Sequence, residues 1–132
     1  MILLNIAEVI KLHSKLISKT GGGDGIRDMN MLESAVASAE AGFGEYEKYP
    51  TIEEKAARLC FSLISNHAFI DGNKRIGIFV MLVTLELNDI KLNFTQAELI
   101  DLGLGVASHK YDYNDIHEWV IGHEYKKETI SL

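Results

Sequence analysis

Residues 67–87 read HAFIDGNKRIGIFVMLVTLEL, a dense polar cluster joined directly to a long apolar run. In the apolar part, Ile76 to Leu85, the residues Ile78, Phe79, Val80, Met81, Leu82 and Val83 point in every direction around a helix or to both faces of a strand. A segment without a polar face has to be enclosed by the rest of the chain. The run continues to Leu87 with no Pro and only Gly77 inside it, which is longer than a usual buried strand and reads as a helix. It is expected to be the central helix of a small bundle. Asn73 falls at or near its N-cap, with Asp71, Gly72, Lys74 and Arg75 around it. A helix start offers four unpaired N–H groups and a partial positive charge, so a turn of this kind can hold phosphate oxygens. Taken alone, GNKR is a weak signal and reads first as an Asn cap followed by two solvated basic residues. His67 and Asp71 shift the balance towards chemistry.

Working outward, the segment before this corner is strongly amphipathic. Thr51 with Glu54 forms a capping-box pattern, and Ala56, Leu59, Cys60, Leu63, Ile64 and His67 then recur at steps of three and four. His67 continues that stripe, which predicts an imidazole facing the body of the protein, with Phe69 as the apolar plug of the following loop. Towards the N-terminus, Asn5 with Glu8 caps a helix running to about Ser18, whose stripe of Ile6, Val9, Ile10, Leu16 and Ile17 includes a satisfied, partly buried His13. Thr20 to Gly25, TGGGDG, is too rich in glycine for regular structure. It is either a plain connection or a flap over a site. A short second helix starts at Asp28 or Asn30, is marked by Leu32, Ala35, Val36 and Ala39, and stops at Gly42 and Gly44. Phe43 to Pro50 reads as an irregular surface loop.

On the other side, Asn88 and Asp89 make a turn, and Ile90, Leu92 and Phe94 form a short extended connector. Thr95 with Glu98 caps a fifth helix ending near Ser108, and a sixth starts at Asp112 or Asn114 and buries Ile116, Trp119, Val120 and His123. The tail KKETISL is expected to fray. The whole is an all-α bundle of about six helices around a central buried helix, one domain over residues 1–132.

Composition narrows the function. A chain of 132 residues, 47% hydrophobic and 24% charged, suits one globular domain. The net charge of −6 argues against direct nucleic-acid binding, which rests on a basic surface. Cys60 is the single cysteine, so no internal disulfide forms, and its apolar neighbours predict a buried, inert thiol. The five histidines show no zinc-ligand spacing. No basic signal-peptide start and no membrane-spanning run is present, and a cytoplasmic protein is expected.

His67, Asp71, Asn73, Lys74 and Arg75 gather on one helix–loop–helix corner. An imidazole serves as a general base near neutral pH, and a carboxylate four residues later can hold Mg²⁺ without competing for the same proton. The loop N–H groups with Lys74 and Arg75 supply a phosphate cradle. Together they are the inventory for transferring part of ATP to a hydroxyl.

These residues resemble the Fic/Doc family, whose motif runs H-x-F-x-[D/E]-G-N-[G/K]-R and stands here as His67, Phe69, Asp71, Gly72, Asn73, Lys74 and Arg75. The segment GGGDGIRD resembles the glycine-rich stretch of the death-on-curing, or Doc, branch, and the resemblance covers nearly the whole chain. It implies an all-helical fold with the motif between the third and fourth helices. It makes His67 the base, Asp71 the Mg²⁺ ligand, and Asn73 and Arg75 contacts to the phosphates of ATP, with Lys74 beside them. Gly72 would let the backbone approach the nucleotide. Gly21, Gly22, Gly23, Asp24 and Gly25 would be the flap that positions the target.

Two departures from the wider family, Lys74 where most members have Gly and Ile78 where they have a second Arg, point away from AMP transfer. The resemblance to the Doc branch implies a toxin that moves the γ-phosphoryl group to a threonine of elongation factor Tu and so blocks translation. The alternatives are AMP transfer to a protein hydroxyl and a non-catalytic binding module. No self-blocking [S/T]-x-x-x-E-[G/N] helix is present in the sequence, so restraint is expected from a separate antitoxin lying against the bundle near the motif.

Overall fold

Side-chain caps decide where most of the helices begin. In the computed structural model, which describes residues 1–125, α1 (Ile6–Thr20) opens on Asn5, whose side chain accepts the Glu8 N–H while Glu8 accepts the Asn5 N–H. The same reciprocal pair starts α3 (Ile52–Asn66) at Thr51 and Glu54, α5 (Gln96–Ala107) at Thr95 and Glu98, and α6 (Tyr113–Gly122) at Asp112 and Asp115. Asp28 caps α2 (Met29–Ala37). Only α4 (Asn73–Leu87) begins without a side-chain cap among the described residues. The six helices with one very small sheet are the expected all-α fold. The frayed tail expected for residues 126–132 lies outside the described residues.

The centre belongs to α3 rather than to α4, which corrects the sequence expectation. α3 packs against α2, α4, α5 and α6, whereas α4 packs against α1, α3 and α5. Gly77 lets these two helices approach, since a Cβ there would lie 2.7 Å from Ile64 Cγ1 and 3.0 Å from the Cys60 carbonyl. α4 buries Ile76, Val80, Met81, Thr84 and Leu85, but Phe79 is 37% and Leu87 42% exposed. Its remaining apolar side therefore lines an open groove instead of a core.

The buried residues fall into two clusters along α3. One gathers Val9, Leu32, Leu63, Phe69, Ile76 and Val80, and the other Ala56, Cys60, Met81, Leu102, Ile116 and Val120. Burial pushes the Cys60 thiol up to about 12, which leaves it protonated and inert as expected.

The stretch expected as an irregular loop is more ordered than its sequence suggests. α2 ends at Ala37, a 3₁₀ turn covers Ser38–Glu40, and β1 (Gly42–Phe43) pairs antiparallel with β2 (Tyr46–Glu47). The buried Lys55 holds this hairpin down, donating to the Ala39 carbonyl at 3.1 Å and to Glu47 at 3.2 Å. At the opposite end, the expected extended connector pairs Leu92 with Glu124, and the Asn93 N–H donates to the His123 carbonyl at 2.7 Å.

His123 is half-buried and stacks on Trp119. Burial disfavours its charged form, but the Glu98 carboxylate at 2.5 Å and the Trp119 carbonyl at 2.7 Å outweigh that and raise its pKa. Glu98 is drawn down to about 2, first by the His123 bond and then by Thr95. Among the described residues no helix is long and apolar enough to cross a membrane.

Candidate active site

The motif corner is built from three chain segments. α3 ends at His67, whose backbone is left-handed, with φ 49° and ψ 44°. Arg27 caps this end, its Nε donating to the His67 carbonyl at 2.7 Å and its Nη2 to the Asn66 carbonyl at 3.4 Å. A cation there also suits the negative end of the helix dipole. The left-handed turn carries His67 off the buried stripe, and the residue is exposed. The inward-facing imidazole expected from periodicity is therefore wrong, because periodicity cannot foresee the turn that ends the helix. The imidazole has no hydrogen-bond partner among the described residues, so its nitrogens are available to a ligand.

Beyond His67, Ala68 and Phe69 go back into the core, and Phe69 is the plug expected. Asn73 closes the loop upon itself. Its Oδ1 accepts the Phe69 N–H at 2.9 Å and its Nδ2 donates to the Phe69 carbonyl at 3.0 Å. It is the first helical residue and not the cap, since Gly72 holds that position in a left-handed conformation with φ 78°. With its amide committed to Phe69, Asn73 offers an anion its backbone N–H. The Ile76 N–H already bonds the Gly72 carbonyl, so the uncapped donors are those of Asn73, Lys74 and Arg75, the arrangement that favours an anion.

The charged groups divide by their partners. Asp71 is 50% exposed, and its Oδ1 accepts the Gly72 N–H at 2.7 Å and faces Arg75 Nη2 at 3.5 Å. Its Oδ2 has no hydrogen bond among the described residues. Arg75 Nη1 donates to Thr20 Oγ1 and, at 3.0 Å, to the Gly21 carbonyl. Lys74 is exposed and without an ion pair among the described residues, its stem lying over Gly103 of α5. Beside Lys74 and Arg75 opens an apolar groove of about 360 Å³ between α1, α4 and α5, lined by Leu16, Ile78, Phe79, Leu82, Ile100 and Leu104.

The glycine segment lies along the motif loop. Ile26 pairs with Phe69 in an antiparallel bridge, the Ile70 N–H bonds the Gly25 carbonyl at 3.1 Å, and the Arg27 N–H bonds the Ala68 carbonyl at 2.8 Å. Gly22 faces Asp71 so closely that a Cβ would collide with the carboxylate. The segment therefore lies against the motif loop at both Gly22 and Gly25. Arg27 and Thr20 were not legible as parts of the site. The only available signal was their position at the two edges of the glycine-rich stretch.

Asp71 suits Mg²⁺, which is held by one or two carboxylates together with substrate phosphates and keeps several waters. Its Oδ2, without a hydrogen bond among the described residues, would be that single carboxylate oxygen. Among the described residues no group of three or more His, Cys, Asp or Glu side chains could hold a metal by itself, so an ion here would depend on phosphate ligands.

The chain is similar to the Toxin Doc of Mycolicibacterium smegmatis, with 36% identity over 98 residues, 73% of this chain and 75% of that protein. It is also similar to the Protein kinase doc of Escherichia phage P1, with 29% identity over 109 residues, 83% of this chain and 85% of that protein. The model of the Fic/DOC family matches residues 3–85, which include α1, the glycine segment and the whole motif corner. The chain belongs to the Fic/DOC family.

Proposed function

We propose that this protein is a Doc-type toxin of the cytoplasm that transfers the γ-phosphoryl group of ATP to a protein hydroxyl, a threonine of elongation factor Tu, and thereby blocks translation. The observation that carries the reading is the uncapped start of α4, flanked by Lys74 and Arg75 and joined by one short loop to an exposed imidazole that has no hydrogen-bond partner among the described residues. The names of the two relatives, a toxin and a protein kinase, agree with it.

His67 takes the proton of the attacking hydroxyl on a ring nitrogen, and its exposure lets a side chain of another protein reach it. The N–H groups of Asn73, Lys74 and Arg75 and the two side-chain cations bind and orient phosphate oxygens, while Gly72 gives the turn the left-handed conformation that starts the helix. Asp71 Oδ2 would hold Mg²⁺. When bound, Mg²⁺ and ATP supply the phosphoryl group and neutralise its charge. Gly21, Gly22, Gly23, Asp24 and Gly25 run beside the motif loop, where they orient an incoming target chain. Ile78 lies in the apolar groove and offers a triphosphate neither charge nor donor, which favours phosphoryl transfer over the AMP-transfer pose.

Restraint comes from a cognate antitoxin whose apolar segment occupies the groove between α1, α4 and α5, with Phe79, Ile100 and Leu104 as exposed anchors. The test is incubation with ATP labelled at the γ or at the α phosphate in a lysate of the host. Label from the γ position on one protein supports the reading. Label from the α position returns the chain to AMP transfer, and label from neither favours a binding module.

A further inference from the structure

The motif loop is held from within by Asn73 on Phe69 and from outside by His13 of α1, 58 positions before Asp71. His13 is 1% exposed. Its Nε2 lies 2.7 Å from the Asp71 carbonyl, and because a carbonyl only accepts, Nε2 carries the proton. Its ring stacks on Phe69 with centroids 3.8 Å apart and planes 12° apart. Its other nitrogen, Nδ1, lies 3.5 Å from Asp24 Oδ1, an ion pair when Nδ1 also carries a proton, and Ser14 donates to the same carboxylate oxygen at 3.1 Å. One buried ring therefore touches the plug of the motif loop, the peptide after the metal-ligand candidate, and the glycine segment.

The Asp71–Gly72 peptide is fixed from both sides. His13 holds its carbonyl, and Asp71 Oδ1 accepts its N–H at 2.7 Å. That second bond uses one carboxylate oxygen and leaves Oδ2, beneath Gly22, without a hydrogen bond among the described residues. If the carbonyl swung away, the N–H would turn with it and the carboxylate would lose its setting.

We propose that His13 is a positioning residue of the motif site, setting the Asp71–Gly72 peptide directly and the glycine segment through Asp24. The proposal rests on the motif corner being the active site. His13 touches no reacting group, so its influence passes through Asp71, Gly72 and Asp24.

The test compares the intact protein with three variants. His13→Phe keeps the stack on Phe69 and removes both polar contacts, His13→Gln restores a donor for the Asp71 carbonyl, and Asp24→Asn removes the charge facing Nδ1 while its Oδ1 can still accept from Ser14. Two readouts are taken, the backbone and imidazole signals in ¹H–¹⁵N NMR and the labelling of target in host lysate with γ-labelled ATP. In His13→Phe the amide signals of Gly72 and Asn73 shift together with those of residues 21–25, and labelling falls by about tenfold to a hundredfold, the scale of a misplaced group. His13→Gln recovers most of that loss. Labelling at the intact-protein level in folded His13→Phe, or a His13→Gln protein no better than it, overturns the proposal. Should His13→Phe fail to fold, Asp24→Asn decides. A changed imidazole signal of His13 with weaker labelling supports the clamp, and unchanged signals overturn it. If the intact protein labels nothing, the phosphoryl-transfer reading fails while the NMR readout still decides, because shifts confined to α1 would refute the clamp.

Discussion

Replacing Gly72 with Ala places a side chain where α1, the motif loop and α4 converge. Two costs are readable. Gly72 has φ 78°, a left-handed conformation that costs an L-residue roughly 1–2 kcal/mol, offset by roughly 0.4–1 kcal/mol from the less flexible unfolded chain. The new Cβ would also lie 2.9 Å from Ile17 Cδ1 and 3.5 Å from His13 Nε2. Ile17 Cδ1 is the tip of a flexible side chain, so this crowding belongs at the low end of the overpacking range, about 1 kcal/mol. The sum is about 2 kcal/mol. For a chain of 132 residues, an unfolding entropy of about 2.1 cal/mol/K per residue turns this into a fall in Tm of about 7 °C.

Gly44 is the control, with φ 59° and nothing within 4 Å of a Cβ. Gly44→Ala carries the backbone cost alone and should lower Tm by only about 2–3 °C, by the same conversion. Thermal unfolding followed by circular dichroism measures both. If Gly72→Ala is no less stable than Gly44→Ala, the packing of Ile17 and His13 against the motif turn is refuted.

Other expectations concern single groups. His67→Ala should leave Tm nearly unchanged, since the side chain is exposed, yet lower target modification by a factor of roughly 10² to 10⁴, measured as initial rates. Thr84 is fully buried and its hydroxyl has no hydrogen-bond partner among the described residues, so Thr84→Val should raise Tm by a few degrees, as expected when an unsatisfied polar group is replaced by an apolar one of similar shape. The His123–Glu98 pair makes stability depend on pH. Glu98, lowered from 4.5 to about 2, contributes above pH 4.5 and loses that contribution as pH falls towards 2. His123, raised from 6.5, contributes below that value and loses its part as pH rises through its higher folded pKa. Urea midpoints measured across pH should therefore decline on the alkaline side in the intact protein, and His123→Gln should remove that slope.

The helix starts were legible because caps are local. Asn5 with Glu8, Thr51 with Glu54 and Thr95 with Glu98 each show their partner three residues away. The hairpin at 42–47 was not legible, because two strands of two residues offer no alternation to read and Lys55, which secures them, belongs to the next helix. The wholly apolar face of α4 was read as a fully enclosed helix, whereas part of it lines the groove beside Lys74 and Arg75. At the site, the motif residues lie within nine positions of one another and could be named in advance. Their orientation could not. It depends on Arg27 beneath His67, Thr20 on Arg75 and His13 on Asp71, contacts that span forty residues or more and leave no periodic trace.

The central claim is the identity of the transferred group, and the mass gained by the modified protein tests it most directly. After incubation with ATP and Mg²⁺, intact-mass spectrometry of the modified host protein should show a gain of roughly 80 Da, one phosphoryl group delivered by in-line transfer to a hydroxyl. A gain of roughly 329 Da, one AMP on the same hydroxyl, would contradict the account and mean that the cradle formed by Asn73, Lys74 and Arg75 holds the nucleotide in the opposite sense.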